Sequence, residues 1–347
     1  MPAHGKKSLE APQKPVESMA KAVTYLTVDD NSAGQRLDNF LLHHLKGVPK
    51  SHVYRIVRSG EVRVNKGRAD VAYRLVMDDL VRIPPVRIAD EKAGPGIGEV
   101  ERAFAAGQPA RKGALPLDVL FEDDALLAIN KPAGMAVHGG SGISFGVIEG
   151  LRALRPQAKF LELVHRIDRE TSGILLIAKK RSALTAMHAM LRGDPGPRIE
   201  KHYLALVTGA WPDQRRHIRT RLTKYVTASG ERRVSADEDD GQESHTIATR
   251  VEQLPGATLL DCEIRTGRTH QIRVHLASLG HPIIGDDKYG DFALNKHVAA
   301  VRNGGLKRMF LHARLMAFPH PLTGQDLRIE APLPADLSRY LTHLRAL

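Results

Sequence analysis

An aspartate set between two arginines, in the run HRIDRETSG over residues 165–173, is the grouping of side chains in this sequence best suited to chemistry. Asp168 stands there between Arg166 and Arg169, and neighbouring guanidinium charge keeps a carboxylate ionised. An ionised carboxylate attacks as a nucleophile or removes a proton as a base; the same arrangement also serves as a structural salt bridge. Asp286 and Asp287 are the acids that a hydrolase would recruit as its second carboxylate. The 17 histidines invite a metal, but His270 and His275 are five apart on an expected helix and do not share a face. Neither cysteine nor a carboxylate pair completes a zinc set beside them, and no metal is expected. The stretch GGSGISFG over residues 139–146 lacks both a P-loop Lys-Ser/Thr pair and a GxGxxG pattern, so no nucleotide cofactor is expected.

The elements that must present Asp168 are two short apolar runs, residues 160–164 and 174–178, which read as strands flanking the polar loop. Around them, residues 117–347 alternate short apolar strands with a few helices, as in an α+β domain built on a mixed, mainly antiparallel sheet. Residues 89–116, rich in Gly, Pro and Ala, read as a linker, and residues 1–21 as a disordered tail. Between them residues 22–88 form a smaller α/β unit. AVTYLTV alternates like a strand, and Leu37, Phe40, Leu41 and Leu45 line one face of a helix stopped by Gly47. A second helix, capped by Ser51 and ended at Gly60, precedes a short strand over residues 61–65.

Net charge is +12, with a pI near 9.8, so the surface attracts polyanions. Between Arg36 and Arg68 eight basic residues face two acids: Arg36, Lys46, Lys50, Arg55, Arg58, Arg63, Lys66 and Arg68 against Asp38 and Glu61. Two helices and a basic turn of this kind can lie against phosphates. The one cysteine, Cys262, excludes an internal disulfide, fits a reducing compartment and reads as a buried strand residue. No apolar run approaches the roughly 18 residues that span a bilayer, and the polar start lacks a signal-peptide stretch. A cytoplasmic monomer is the expectation, since no heptad or large apolar stripe demands a partner.

Two resemblances sharpen this reading. QRLDNFL, VYRIVRSGEVRVNKG and DDLVRIPP stand where the S4 RNA-binding domain has its helices and final strand. HRIDRETSG resembles the active-site signature of the RNA pseudouridine synthases of the RluA family. It is accompanied in order by NKPAGMAVHGG from Asn130, KHYLALVTG from Lys201, RTGRTHQIRVHLASLGHPIIGDDKYG from Arg265 and MFLHA from Met309.

The resemblance implies a pseudouridine synthase fold behind an S4-like unit. It implies isomerisation of uridines in 23S ribosomal RNA, free or in an assembling large subunit, at several sites near the peptidyl-transferase region and without a cofactor. Asp168 would be essential, Tyr203 would stack on the target base, and Arg268 would pair with Asp168 and orient it. A phenol offers a flat apolar face with a polar tip, and a guanidinium forks onto a carboxylate through two parallel hydrogen bonds. Arg166 would join Arg36, Lys50, Arg55, Arg58, Arg63, Lys66 and Arg68 in binding RNA.

Overall fold

The computed structural model describes residues 22–45, 48–86, 117–139, 146–227, 230–237, 241–301 and 304–347, which fall into two compact units, residues 22–86 and 117–347. The tail over residues 1–21, the linker over 89–116, Lys46, the Gly47 helix stop and residues 140–145 of the glycine-rich stretch lie outside the described residues.

In the first unit β1 (Thr24–Thr27), β2 (Arg63–Val64) and β3 (Leu80–Ile83) form an antiparallel sheet in the order β1-β3-β2. Helices α1 (Leu37–His44) and α2 (Lys50–Arg58) bury Leu37, Phe40 and Leu41 against Val53, Ile56 and Val57. The apolar positions recur at three- and four-residue spacing, which places them on one stripe of each helix. α2 is capped by Pro49 and not by Ser51, which lies inside its first turn. Proline at this place supplies the fixed φ, here −57°, that an N-cap accommodates. Gly60, at φ 75°, ends the helix as expected.

In the second unit, β4 (Asp118–Glu122), β5 (Leu126–Lys131), β6 (Glu162–Leu163), β7 (Ser172–Ala178), β8 (Glu200–Thr208), β9 (Arg215–Val226) and β10 (Arg232–Asp237) are followed by β11 (Gln242–Leu254), β12 (Ala257–Ile264), β13 (Leu311–Pro319) and β14 (Asp326–Glu330). They build one sheet in the order β10-β9-β11-β12-β8-β13-β7-β5-β4, with β14 on β13 and β6 on β7. Among the described residues every ladder of this sheet is antiparallel save β13 with β7, so the sheet is mixed and mainly antiparallel. Helices α3 (Val147–Leu154), α4 (Arg181–Arg192), α5 (Gln271–Ser278), α6 (Phe292–Ala300) and α7 (Ala335–Arg345) accompany it. Cys262 is buried in β12, as its setting in the sequence implies.

Two local features shape the loop that carries Asp168. β6 covers only part of its apolar run and stops before Val164, where Leu176 donates its backbone N–H to His165 Nε2 at 3.1 Å, a side chain taking the place of a ladder acceptor. At the other end Gly173, at φ 108°, sits where a Cβ would lie 2.2 Å from the Ala313 carbonyl oxygen. Only glycine lets β7 and β13 approach so closely. Among the described residues no helix is long and apolar enough to cross a membrane.

His275 and His312 are both fully buried, and burial pulls each down to about 4. Their folded values lie below the unfolded value near 6.5, so the unfolded chain binds protons first. Stability is fully present above pH 6.5 and lost as pH falls from there through about 4. Each histidine contributes up to about 1.4 kcal/mol per pH unit in that window. Urea melts at pH 7.5 and pH 5.5 are expected to show the decline, with a shallower one in His275→Gln; a flat profile refutes the assignment.

Candidate active site

The loop from β6 to β7 is tied to the protein through its backbone. Lys131, the last residue of β5, is fully buried and donates its ammonium to three carbonyls: Pro132 at 2.8 Å, Met135 at 2.9 Å and Arg169 at 3.0 Å. Burial lowers it to about 7, against the opposing charges of Glu170 and Asp168. Gly134 N–H and the Arg169 carbonyl pair at 2.9 Å, and Arg169 Nε donates back to the Gly134 carbonyl at 2.9 Å. The NKPAG segment thus grips the backbone next to Asp168. Sequence reasoning misses Lys131; the signal there is a lysine that, with Asn130, closes the apolar run Leu126–Ile129 of β5.

The side chain of Asp168 is held from the opposite direction. Its Oδ2 accepts from Arg273 Nη1 at 3.1 Å, and His270 Nε2 lies 4.0 Å from the same oxygen. Arg273, in the first turn of α5, is only 4% exposed at its side chain and donates Nε and Nη2 to Asp286 at 2.7 Å each, with Asp287 Oδ1 at 3.2 Å. Its guanidinium lies over the Tyr289 ring, 5.2 Å from the centroid. Burial works against the charge, yet the Asp286 hydrogen bonds and charge, then Asp168, raise its pKa.

The expected partner, Arg268, is not the one on Asp168. It lies in the loop before α5, exposed, with Nε donating to the Glu243 carbonyl at 3.1 Å. Arg166 and Arg169 do not bond Asp168 either; Arg166 is exposed, and Arg169 contacts Glu170 at 3.4 Å. Asp286, weighed as the second acid of a hydrolase, is fully buried and also accepts the backbone N–H groups of Lys288 and Tyr289. It is an anchor for Arg273 rather than a free carboxylate.

Tyr203, on β8, faces Asp168 across a cavity of about 90 Å³ that Ile264, Arg268, His270 and Leu311 also line. Several waters' worth of space suits a small planar ring. Burial and then the negative charge of Asp168 push the Tyr203 phenol up, so it stays protonated. A larger cavity of about 820 Å³ shares Arg166, Tyr203 and Arg268 with the first and adds Arg198, Lys201 and Arg265. Its basic lining can attract phosphate. Among the described residues no three His, Cys, Asp or Glu converge on a metal-sized point.

In the first unit Lys50, Tyr54 and Arg58 share one side of α2, the cations 5.6 and 5.9 Å from the Tyr54 ring centre. Lys66, in left-handed backbone, and Arg68 are exposed on the following turn, and Arg63 is half-buried on β2. Arg55 contacts Glu61 at 3.3 Å. Arg36 departs from its expected role, because it forks onto Asp38 at 3.1 and 2.8 Å while Tyr54 Oη donates to the same carboxylate at 2.9 Å. Its charge is neutralised within the unit.

A family model described as RNA pseudouridylate synthase matches residues 125–278, and an S4 domain model matches residues 35–81. The chain is 51% identical over 330 residues, 95% of it and 98% of the relative, to "Ribosomal large subunit pseudouridine synthase C" of Haemophilus ducreyi. The chain belongs to the RNA pseudouridylate synthase family. Its Escherichia coli (strain K12) relative of the same name is 50% identical over 329 residues, 95% of this chain and 98% of that one. In fold, this synthase resembles Human RNA Pseudouridylate Synthase Domain Containing 1 (TM-score 0.52, 24% identity, 69% of this chain and 98% of that one). It also resembles Human RNA Pseudouridylate Synthase Domain Containing 4 (TM-score 0.53, 23% identity, 66% and 93%).

Arg273→Met leaves Asp286 buried without its partner, a loss expected to cost about 3–5 kcal/mol of stability. Arg268→Met, at an exposed position, should change stability by less than about 0.5 kcal/mol. Urea denaturation of both variants checks this, and equal losses would refute the inward role given to Arg273.

Proposed function

We propose that this synthase converts uridines of large-subunit (23S) ribosomal RNA to pseudouridine, with Asp168 as the catalytic carboxylate and Tyr203 as the ring against which the uracil lies. The observation that carries the reading is the meeting of Asp168 and Tyr203 in one cavity, with Arg273 fixing the carboxylate at 3.1 Å. The relatives, named as ribosomal large subunit synthases, supply the RNA class.

The reaction breaks the bond from C1′ to N1, turns the uracil while it stays bound, and joins C5 to C1′; the C5 proton leaves and N1 gains one. Atoms and charge balance without a co-reactant. A base inside folded RNA is out of reach, so the nucleotide must be extruded, at an unstacking cost of a few kcal/mol. The Tyr203 ring then offers a face for the freed base, while the cations of the larger cavity, Arg166 among them, face the backbone. Asp168 acts either by attacking the sugar or base or by taking a ribose proton, and both routes need it ionised. Arg273 serves either route by holding the carboxylate in place through its hydrogen bond at 3.1 Å.

In this reading the S4 unit supplies affinity through Lys50, Arg55, Arg58, Arg63, Lys66 and Arg68, and the catalytic unit selects the uridine.

Incubating unmodified 23S ribosomal RNA with the wild type and with Asp168→Ala, then mapping carbodiimide adducts that stop reverse transcription, tests the activity. Stops are expected with the wild type and reduced at least about a thousandfold with the variant. Conversion by both proteins would remove Asp168 from its role, and loss of nucleotides in place of mass-neutral conversion would favour hydrolysis.

The logarithm of affinity for the same RNA should fall linearly with log salt, and Arg58→Ala should lower that slope by about one contact's worth, roughly 0.7–0.9. Filter binding between 50 and 200 mM salt, roughly the range over which such contacts weaken, reads it. A salt-independent affinity would contradict this division of labour.

A further inference from the structure

Beside Asp168, Tyr203 and Arg273, the cavity is lined by a ring nitrogen, His270 Nε2, that has no hydrogen-bond partner among the described residues. His270 precedes α5 at φ 53° and ψ 20°, a left-handed conformation that residues other than glycine rarely adopt and that clusters at functional sites. Its Nδ1 lies 2.8 Å from Tyr289 Oη, and that same hydroxyl accepts the backbone N–H of Val234 at 2.9 Å. Oη has no other hydrogen-bond partner among the described residues, so its own proton goes to Nδ1. Burial, against the pull of Asp168, keeps the imidazole neutral. A neutral ring that accepts at Nδ1 carries its proton on Nε2.

Nε2 is 4.0 Å from Asp168 Oδ2, too far for a hydrogen bond. An N–H donor and a carboxylate acceptor so spaced are bridged by an oxygen that both accepts and donates. Uracil carbonyls and phosphate oxygens only accept; a hydroxyl does both. Within an RNA chain the ribose has one free hydroxyl, at C2′, the group that separates RNA from DNA.

We propose that His270 and Asp168 together hold the 2′-hydroxyl of the target uridine, His270 donating to its oxygen and Asp168 accepting its proton. The inference rests on the pseudouridine reading of the cavity. Oδ2 is then shared between Arg273 and the hydroxyl, and Oδ1, which bonds nothing else among the described residues, faces the chemistry. Tyr289 acts through His270 as a positioning residue, by fixing which ring nitrogen carries the proton.

The test is a two-by-two cycle. An RNA fragment carrying one mapped uridine is synthesised with uridine or 2′-deoxyuridine at that position and given to the wild type and to His270→Asn, whose asparagine tolerates left-handed backbone. Single-turnover rates are read from tritium released at C5. Loss of the hydroxyl and loss of the imidazole are each expected to slow the reaction about tenfold, and both together little more than either. Any change of sugar pucker acts on both proteins and cancels.

Penalties that multiply overturn the proposal, and so does a wild type indifferent to the hydroxyl. Tyr289→Phe keeps the imidazole but releases its tautomer, so it carries the test if His270→Asn melts early. The deoxy penalty should shrink about threefold, and an unchanged penalty overturns the proposal. The fragment is chosen because the wild type converts its uridine. Failure of the pseudouridine reading therefore shows at the mapping step, and failure of this inference only in the cycle.

Discussion

One buried guanidinium organises the catalytic unit around the cavity. Arg273 and Asp286 are each nearly or wholly excluded from water, and a lone charge there would cost several kcal/mol. Each therefore requires the other, and the pair sets the turn after α5: Asp286 also gathers the N–H groups of Lys288 and Tyr289, and Asn295 bonds both Gly285 N–H and the Asp286 carbonyl. Asp168 completes the arrangement on the side open to the cavity. Its carboxylate is thus placed by a helix and a turn distant in sequence, not by the arginines beside it.

The second tether is independent of the first. Lys131 fixes the loop through backbone carbonyls, where the ammonium of a buried lysine finds three acceptors and, among the described residues, no carboxylate in direct contact. Backbone is held from β5 and side chain from α5. A carboxylate gripped in this way keeps its position although it sits on a loop, which is the condition that accurate chemistry sets on a scaffold.

Much of this was legible in the sequence, and the misses have definite causes. Strand alternation and the apolar stripes of α1 and α2 are local patterns and reported themselves directly. The motif around Asp168 and the Tyr203 position also carried through to one cavity. Which arginine of TGRTHQIR turns inward was hidden, because Gln271, Ile272, Arg273, Val274, His275 and Leu276 are all buried and α5 has no polar face to reveal its orientation. Lys131 was opaque for the related reason that carbonyl acceptors leave no side-chain signature. Arg36 counted as a free cation in the sequence although it forks onto Asp38 two positions on; Tyr54, which donates to the same carboxylate, lies sixteen positions beyond that aspartate. Ser51 looked like a cap because its type suited the role, whereas Pro49 took it through a fixed dihedral.

The separation of the two halves of the site along the chain has a consequence for its birth on the ribosome. Asp168 and Arg273 are 105 residues apart, and Ser172 and His312, joined across the parallel junction of β7 with β13, are 140 apart. At about 5–20 residues per second, the peptide containing Asp168 is made roughly 5–20 seconds before its guanidinium exists, and the glycine that receives β13 waits longer still. During that interval Lys131 and the carbonyls it bonds are already in the chain, but the charge partner is not. The cavity therefore cannot be complete until the segments bearing Arg273 and Leu311 have also been made, long after the loop that carries Asp168.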